Sequence, residues 1–513
     1  MGFTYLIQFG SKEHAKLLPE VRSVNHYEAP NSKGYDSQWY AQIAVSPHLR
    51  DPRLGRAVDS LPYRARRILF LLTAWAAGGG DPSRVMEAYA VQNIVCWFLL
   101  AALLLRWFPP GRWGNVFRWA ATLYSFGMIF SVRGALLDGP SLLLVAGGMA
   151  LIEGGRTWLG AAVMGVAGLG KDTSVLCGAG LPPADLRRSG SILPWLARWT
   201  LVLVPILLWV IYLNIILGHG EAVGARNFAW PFCGLLDKMQ DILTSLIAER
   251  GYPLATVTKF DALVVAGLLA QFSFFAFRVR WRDPWWRVGA AYAVLMVFLG
   301  GAVWENYPSA AARVLLPMVL AFNITVPRGR WWALLLVIGN LGVVGSADLL
   351  KPPGRESYVI EGPRELRMSP DGSPVMAVFG PANWWRPEKS RWDYFRWSMG
   401  DSSVEVRNPQ AFPMIADIVF KLRSVDRRAA IIILDGREVR REELEPAEVV
   451  PVTLSGIRLP PGDTTLLFRS DRPAAYPGNS DKRRLTYMVR DLEIDLKGRA
   501  PETRGAGPPA MGN

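Results

Sequence analysis

Long apolar runs constrain this chain more than any other feature of its sequence. Four of them are almost free of charged residues: Ile94–Leu105, Leu193–Leu217, Ala262–Phe277 and Ala333–Val344. A helix needs about 20 mainly apolar residues to cross the hydrocarbon core of a bilayer. The chain has 513 residues, and only 19% of them are charged, against about a quarter in soluble domains. The sequence therefore predicts an α-helical membrane protein that crosses the bilayer several times.

We predict about ten spans. They are 87–107, 116–132, 138–153, 157–170, 173–183, 193–217, 258–277, 287–304, 309–326 and 331–349. The stretch 157–183 is expected to be a helix pair broken around Gly170-Lys171-Asp172. Basic residues collect in alternate connections, near Arg112, Arg156, Arg187, Arg282 and Arg328. The positive-inside rule places these connections in the cytoplasm, and it places loop 11–62 and the region after Leu350 on the opposite face.

This orientation has a direct test. A topology reporter fused after Gly354 and one fused after Arg282 are expected to give opposite signals, because an odd number of predicted crossings separates the two positions. The same sidedness at both positions would contradict the orientation, and with it the placement of the N-terminal loop outside the cytoplasm.

The basic character of the chain does not indicate nucleic acid as a partner. The net charge is +14 and the isoelectric point is about 9.8. Much of the arginine, however, punctuates the gaps between apolar segments, where it orients a membrane protein among its lipids. The 3 cysteines and 4 histidines lack the spacing of a zinc site. No cofactor is therefore certain from the sequence.

Four regions follow from the changes in composition. Residues 1–80 are predicted to form an outer-face loop that ends in an interfacial helix, and residues 81–350 the multi-span domain. In the first region, Met1–Phe9 is expected to be the tail of a helix whose beginning is missing. Residues 351–498 are predicted to form an extracytoplasmic all-β sandwich, and 499–513 a disordered tail.

The β region carries its own turn signals. The segments 416–425 and 429–439 alternate in polarity as strands do, and Asp435-Gly436 is typical of a tight hairpin. Pro460-Pro461-Gly462-Asp463 predicts a second hairpin-like turn, and 485–496 is expected to close the sandwich.

The heptad Gly34-Tyr35-Asp36-Ser37-Gln38-Trp39-Tyr40 is the first candidate for chemistry. It sets one carboxylate among three large aromatic side chains and an amide, next to membrane. Asp36 is a candidate general base, and the aromatic side chains a wall that faces a sugar or a lipid. A second interpretation stays open, in which Asp36 forms an Asx-type turn and the aromatic rings anchor at the interface.

Six ionisable residues fall at or near the outer ends of the predicted spans: Arg133, Asp138, Lys171, Asp172, Glu305 and Arg313. Ionisable groups at such depth are costly and usually face a cavity or each other. Snorkelling, structural ion pairs and, for Asp138, a helix N-cap are alternatives to a site role. Cations in this cluster would hold a departing phosphate, while a carboxylate takes the proton of an incoming hydroxyl.

These motifs resemble the GT-C glycosyltransferases, which are polytopic enzymes that use polyprenyl-phosphate sugars, and in particular bacterial relatives of the mannosyltransferases of glycolipid-anchor assembly. The resemblance covers most of residues 30–350 and is carried by 34–44, 63–69, 133–140, 170–173 and 313–317. It implies that the first outer loop supplies the catalytic carboxylate, at Asp36. It also implies that the basic residue of the broken span, Lys171, faces the lipid phosphate.

The expected function is therefore an inverting glycosyltransferase of the bacterial inner membrane, which transfers a sugar from a polyprenyl phosphate to an extracytoplasmic lipid or glycan acceptor. Asp36 would be the general base, and Lys171 with Arg133 or Arg313 would stabilise the leaving phosphate. The remaining substrate contacts are expected at Tyr35, Gln38, Trp39, Tyr40, Asp138, Asp172 and Glu305. The resemblance makes a divalent metal possible, but many members of the family have two acids in the first loop whereas this chain has one, which weighs against metal dependence.

The β region resembles the jelly-roll modules attached to some glycosyltransferases. Five of its aromatic residues are candidates either for stacking on sugar rings or for core packing: Trp384, Trp385, Trp392, Tyr394 and Trp397. Two other functions remain for the whole chain. One is a transporter or flippase for a lipid-linked saccharide, and the other is an inactive envelope scaffold that presents the β domain.

Overall fold

The computed structural model describes residues 2–24, 26–29, 32–184, 192–218, 225–248, 256–305, 310–350, 358–370, 373–380, 382–385, 388–389, 394–477 and 483–501. The chain divides into two compact units. The first consists of Met1–Glu28 and Gly34–Lys351, and the second of Ala29–Lys33 and Pro352–Asn513. The first unit is helical, and the second is built mainly from strands.

The α-helices of the first unit are α1 Pro19–Arg22, α2 Asp36–Val45, α3 Leu54–Ala57, α4 Leu61–Arg64, α5 Leu69–Ala77, α6 Pro82–Leu104, α7 Trp113–Leu123, α8 Phe126–Arg133, α9 Asp138–Glu153, α10 Thr157–Gly170, α11 Ile192–Leu217, α12 Cys233–Ala248, α13 Thr256–Phe277, α14 Pro284–Phe298, α15 Gly301–Trp304, α16 Ala311–Val314, α17 Leu316–Thr325, α18 Arg330–Gly339 and α19 Val343–Leu349. Its 3₁₀ helices are Gly2–Ile7, Ser11–Lys16, Ala65–Arg67, Asp172–Gly180 and Ala225–Asn227. Two short strands, β1 Phe9–Gly10 and β2 Glu28–Ala29, lie near its N-terminal end.

Within the described residues, three helices are long and apolar enough to cross a membrane: α6, α11 and the segment Lys259–Phe277 of α13. Shorter apolar helices are α10, α17 and α18. The chain is therefore a membrane protein, but the ten predicted spans are not confirmed. Several of them are interrupted. The predicted span 116–132 is divided between α7 and α8, and 309–326 is divided where Pro317 lies in the first turn of α17, a position that suits proline because no helical N–H is lost there.

The N-terminal region folds into short helices around an apolar core of its own. Met1–Phe9, expected as the tail of an α-helix, instead contains the 3₁₀ helix Gly2–Ile7. Its last residue, Ile7, and the following Phe9 are fully buried in a cluster that includes Ile43 of α2 and Leu71 of α5. This packing fixes α2, the helix that begins at Asp36, against α5 and α6.

The break expected after Gly170 is present. Lys171 has extended backbone dihedrals and separates α10 from the 3₁₀ helix Asp172–Gly180. Helix α14 holds this 3₁₀ helix at both ends. The Tyr292 hydroxyl donates to the carbonyl of Thr173 at 2.8 Å, and Nε of Arg287 donates to the carbonyl of Ala179 at 2.8 Å. Arg287 also lies in the basic connection around Arg282, and in the structure it caps the end of this 3₁₀ helix.

The second unit contains helix α20 Arg364–Arg367 and the strands β3 Tyr358–Glu361, β4 Met376–Phe379, β5 Glu388–Lys389, β6 Tyr394–Trp397, β7 Ser402–Asn408, β8 Met414–Ser424, β9 Arg428–Leu434, β10 Arg437–Leu444, β11 Val449–Leu459, β12 Gly462–Ser470 and β13 Tyr487–Arg499. One sheet has the order β10-β9-β12-β7-β4. The other has the order β11-β8-β13-β6-β5, and β3 also pairs with β13. Inward-facing apolar side chains of both sheets form one core, as the predicted β region requires.

The turn signals of this unit had different outcomes. The hairpin at Asp435-Gly436 is confirmed, since both residues have positive φ and join β9 to β10 in one antiparallel pair. The hairpin-like turn at Pro460–Asp463 is wrong. It connects β11, which pairs with β8, to β12, which pairs with β7 and β9 in the other sheet. Pro460 and Pro461 lack the N–H groups that the hydrogen bonds of a hairpin would use, which favours a crossing between the sheets. The sequence did not reveal this, because two strands alternate in polarity in the same way whether they pair with each other or lie in different sheets.

The aromatic candidates of this unit lie in different parts of it. The Trp384 ring packs edge-to-face on Phe379 at 5.1 Å, and its indole N–H donates to the carbonyl of Ser403 at 2.8 Å, so Trp384 belongs to the core. Trp385 and Trp397 pack in a smaller satellite cluster. Trp392 and the side chain of Tyr394 lie outside the described residues, as do residues 502–513 of the predicted tail.

Candidate functional site

A cavity of 370 Å³ lies in the first unit, and its lining contains both charged and apolar side chains, which we call its charged wall and its apolar wall. The charged wall is formed by Asp36, Arg64, Arg66, Arg67, Asp138, Lys171, Asp172 and Arg313. The apolar wall is formed by Leu136, Leu137, Phe228, Leu295, Leu299, Ala302, Val303, Ala310 and Val314. Five cationic side chains face three carboxylates in this lining, which therefore favours an anionic group.

Helix α2 brings Asp36 to the cavity, and three of its polar side chains anchor it elsewhere. The Ser37 hydroxyl donates to the carbonyl of Ile7, Gln38 Oε1 accepts from the amide of Gly10 at 3.2 Å, and Gln42 Nε2 donates to the carbonyl of Ala57 at 2.6 Å. Gly34 has φ +71°, and a Cβ atom there would lie 2.5 Å from the Gln38 amide oxygen. The glycine of the heptad thus serves the turn that starts the helix.

Asp36 is the first residue of α2, not a residue in a loop, and its side chain is 36% exposed. Its Oδ1 accepts a hydrogen bond from Nη2 of Arg64 at 2.9 Å. Burial by itself raises the pKa of the Asp36 carboxyl, but the positive charges of Arg64, Arg313 and Arg67 outweigh it and hold that pKa below its usual value. The carboxylate is therefore ionised at neutral pH and is able to accept a proton.

Arg67 also belongs to the charged wall and lies beside two tyrosines. Its Nη1 donates to the Tyr40 hydroxyl at 2.6 Å, and its Nη2 donates to the Tyr63 hydroxyl at 3.1 Å. Its only ion pair with a described residue is the longer one to Asp172, at 3.6 Å, and its Nε has no hydrogen-bond partner. The neighbouring Arg66 is exposed and forms no ion pair with any residue that the structure describes. Arg66 and Arg67 are therefore cations with capacity for an incoming anion.

Asp138, Lys171 and Arg313 form a triad in which Asp138 and Lys171 are buried and Arg313 is 11% exposed. Lys171 contacts one carboxylate oxygen of Asp138, and Nη1 of Arg313 lies 3.2 Å from the other. Asp138 is the first residue of α9 rather than its N-cap, so its charge is also stabilised by the helix N-terminus. Helices α8 and α16 approach closely beside the triad, at Gly127 of α8. Any side chain at this position would clash, since a Cβ atom on Gly127 would lie 2.1 Å from the carbonyl oxygen of Ala312.

The structure brings six of the predicted site residues to the cavity lining: Asp36, Tyr40, Asp138, Lys171, Asp172 and Arg313. Tyr35 lies behind this layer, where its hydroxyl accepts from Nη2 of Arg313 at 3.3 Å. The other four predicted contacts are outside the lining. Gln38 is buried, and Trp39 packs on the N-terminal core. Nε of Arg133 donates to the carbonyl of Leu349 at 3.0 Å. Glu305 is exposed and forms an ion pair with Arg226.

Sequence reasoning missed the arginines that dominate the charged wall. Arg64, Arg66 and Arg67 occur within five residues of one another after Pro62, in the run that the predicted interfacial helix begins with. The signal was the density of arginine in this run, ahead of an apolar helix on the outer face. The sequence alone indicates the basic flank of an interfacial helix, because only the packing of α5 against α2 brings this run close to Asp36.

The arrangement pairs an ionised carboxylate with cations around a cavity that also has an apolar wall. Such a site is able to remove a proton from a hydroxyl and to stabilise negative charge on a phosphate at the same time. In the described part of the chain, no three His, Cys, Asp or Glu side chains are grouped as metal ligands.

No family model and no curated protein matches the chain. Among solved structures, the chain is similar to the arabinosyltransferase EmbB from Mycobacterium smegmatis, with 10% sequence identity and a TM-score of 0.34. The match covers 95% of this chain and 64% of EmbB, so the chain spans less than two thirds of that protein. Identity and TM-score are both too low to assign an activity, which therefore has to be inferred from the chain's own residues.

Proposed function

We propose that this chain is a membrane glycosyltransferase of the GT-C type, which transfers a sugar from a polyprenyl phosphate to a hydroxyl of an extracytoplasmic lipid or glycan. The observation that carries the proposal is that charged and apolar side chains line the same cavity. A sugar phosphate attached to a lipid chain needs both surfaces, since the phosphate is stabilised by cations and the chain by apolar contact.

An apolar groove extends the cavity. It has a volume of 340 Å³ and is lined by Leu176, Phe228, Ala229, Ala291, Val294, Leu295 and Phe298. Phe228 and Leu295 also line the charged cavity, so the two spaces adjoin. The exposed fractions of Phe228 and Val294 are 58% and 59%, which suits a groove that is open to lipid. A phosphate in the cavity would thus have its hydrocarbon chain directly beside this groove.

The chemistry is a single displacement at the anomeric carbon. The acceptor oxygen forms a bond to that carbon while the bond from the carbon to the phosphate oxygen breaks, and the configuration inverts. The hydroxyl proton passes to Asp36, and the electron pair of the broken bond remains on the lipid phosphate. Arg66 and Arg67 stabilise the charge on that phosphate directly. Lys171 and Arg313 contribute their charge while Asp138 holds them in place.

Transfer itself is the test of this function. The full chain, reconstituted in liposomes with a radiolabelled polyprenyl-phosphate sugar and an envelope glycan fraction, is expected to move label into the glycan. Label that crosses the bilayer while still attached to its lipid would instead identify a transporter or flippase. Label that neither transfers nor crosses would leave the chain as a scaffold, and either of these results would contradict the proposal.

The groove makes a prediction about the length of the donor chain. Ala291→Phe fills the groove, and exclusion of about three methylene groups costs about 2.4 kcal/mol, or about 50-fold in donor affinity. The apparent KM for a long-chain donor is therefore expected to rise by that factor, while the KM for a donor with a chain too short to reach the groove stays unchanged. Steady-state kinetics with both donors measures the difference.

Ala102→Phe, at an exposed alanine of α6 outside the groove, is the matched control and is expected to change neither KM. An equal loss with long and short donors in Ala291→Phe would show that the substitution damages α14 as a whole. In that case the groove would not be the path of the lipid chain, whatever the outcome of the transfer assay.

A further inference from the structure

Arg64 links two carboxylates at the rim of the cavity. Its side chain is 9% exposed, and its Nη2 lies 2.9 Å from Oδ1 of Asp36 and 2.7 Å from Oδ2 of Asp59. Its Nε donates to Oδ1 of Asp59 at 3.0 Å. Asp59 therefore grips the guanidinium with both oxygens, which fixes the plane of the guanidinium group. The Arg64 guanidinium also lies over the Tyr40 ring, 5.3 Å from its centroid.

This bidentate contact between Asp59 and Arg64 determines which oxygen of Asp36 is hydrogen-bonded. Because the Arg64 plane is fixed by Asp59, the hydrogen bond from Nη2 reaches only one oxygen of Asp36. The second oxygen, Oδ2, accepts no hydrogen bond from any described residue. Asp36 thus has one oxygen held by a buried cation and one oxygen free to accept a proton, and the side chain is more than one-third exposed toward the cavity.

We infer that Arg64 is a positioning residue for Asp36, and that Asp59 acts through Arg64 to hold the Asp36 carboxylate in one orientation with Oδ2 directed to the acceptor hydroxyl. The inference rests on the proposed function for the identity of the reaction, but the coupling between the three side chains does not depend on it. Neither Arg64 nor Asp59 needs to touch substrate for this role.

Other charges around Asp36 bear on any measurement of its ionisation. The cations Arg67 and Arg313 lower its pKa together with Arg64, the acids nearby are Asp59 and Asp138, and the tyrosines are Tyr35, Tyr40 and Tyr89. In Arg64→Gln the burial of Asp36 remains while one positive charge is lost, and Asp36 and Asp59 no longer share a cation. Both changes raise the pKa of Asp36, so the acid limb of the kcat/KM profile is expected to move up by about 1–3 pH units.

Two further variants separate charge from geometry. Arg64→Lys keeps the charge but cannot bind two carboxylates with a planar fork, so its acid limb is expected to stay close to that of the wild type while kcat on the pH plateau falls about 10²-fold. Asp59→Asn leaves Arg64 charged but removes the carboxylate that fixes its orientation. This variant is expected to lower kcat on the pH plateau without moving the acid limb of the kcat/KM profile to higher pH. In all three variants the KM for the donor is expected to remain unchanged.

Arg53→Gln is the matched control. Arg53 also bridges two carboxylates in the N-terminal region, Glu20 at 2.7 Å and Asp51 at 2.6 Å, but it does not line the cavity. This variant is expected to keep the wild-type pH profile. An unchanged acid limb in Arg64→Gln would overturn the inference, and so would a raised donor KM with normal kcat, since that result would make Arg64 a donor-binding residue.

An infrared titration keeps the test independent of activity. The carboxyl stretch of Asp36, assigned by its absence in Asp36→Asn, is expected to report a higher pKa in Arg64→Gln than in the wild type. If the wild type transfers no sugar, the proposed function fails, and the titration still decides the coupling. If Arg64→Gln does not fold, an unchanged plateau in both Arg64→Lys and Asp59→Asn would overturn the inference.

Discussion

Asp36→Asn is expected to lower kcat for sugar transfer by about two to four orders of magnitude, the usual contribution of a general base. An asparagine has the size of the aspartate, and its Oδ1 still accepts the hydrogen bond that Arg64 now gives to Asp36. Unlike the carboxylate, its amide does not take up a proton at neutral pH. The fold is expected to persist, because the substitution removes one negative charge from the first turn of α2, which is worth about 0.3–1 kcal/mol.

The measurement is initial-rate transfer from a labelled donor, with folding checked by detergent-solubilised size-exclusion chromatography. Asp51→Asn is a suitable control, since Asp51 also pairs with an arginine in the N-terminal region but does not line the cavity. Full activity in a folded, membrane-inserted Asp36→Asn protein would refute the catalytic role and would favour the alternative, in which residue 36 only starts a turn or helix.

Lys171→Met is expected to lower the stability of the protein more than its affinity for the donor. Lys171 is buried in contact with Asp138, and removal of one partner from a buried ion pair typically costs about 3–5 kcal/mol. Arg313 remains 3.2 Å from the same carboxylate and retains part of the compensation, so we expect a loss of about 3 kcal/mol. Asp138→Leu is expected to cost more, because it leaves two buried cations without their shared carboxylate.

The readouts are the yield of folded protein and the midpoint of thermal unfolding in detergent. Lys421→Met is the matched control: Lys421 pairs with Asp491 at 2.9 Å on the surface of the β unit, where such pairs contribute less than about 1 kcal/mol. A Lys171→Met protein of normal yield and stability with a raised donor KM would instead show that Lys171 binds the lipid phosphate. Full activity together with normal yield would exclude both roles.

The triad also bears on which cation binds the phosphate, a role that the sequence assigns to Lys171 and our proposal assigns to Arg66 and Arg67. Lys171 stands out in the sequence because it interrupts an apolar stretch, which makes an intramembrane charge a site candidate. Its partner Asp138 precedes it by 33 positions, and Arg313 follows Asp138 by 175. The sequence does not reveal which cation has its carboxylate already beside it. In our proposal that capacity belongs to Arg66 and Arg67, which the sequence presents as an ordinary basic flank.

The heptad illustrates the same limit within seven residues. Its composition indicated a site, and Asp36 and Tyr40 do line the cavity. Gln38 and Trp39, however, are turned into the N-terminal core, because residues at consecutive positions of a helix point in different directions. The sequence predicts that the heptad lies in a loop, in which all six of its side chains are free to face one ligand, but the helical geometry of α2 separates them.

The sequence by itself determined the features that depend on neighbours a few positions apart. Long apolar runs placed the chain in a membrane, the alternation after residue 400 produced strands, and Asp435-Gly436 formed the hairpin that its φ preferences demand. Only the tertiary structure decided which sheet β12 joins, where the apolar helices break, and which charges meet at the cavity. These depend on contacts between residues far apart in the chain, and many packings satisfy the same local pattern until burial, close approach and the pairing of each buried charge select one of them.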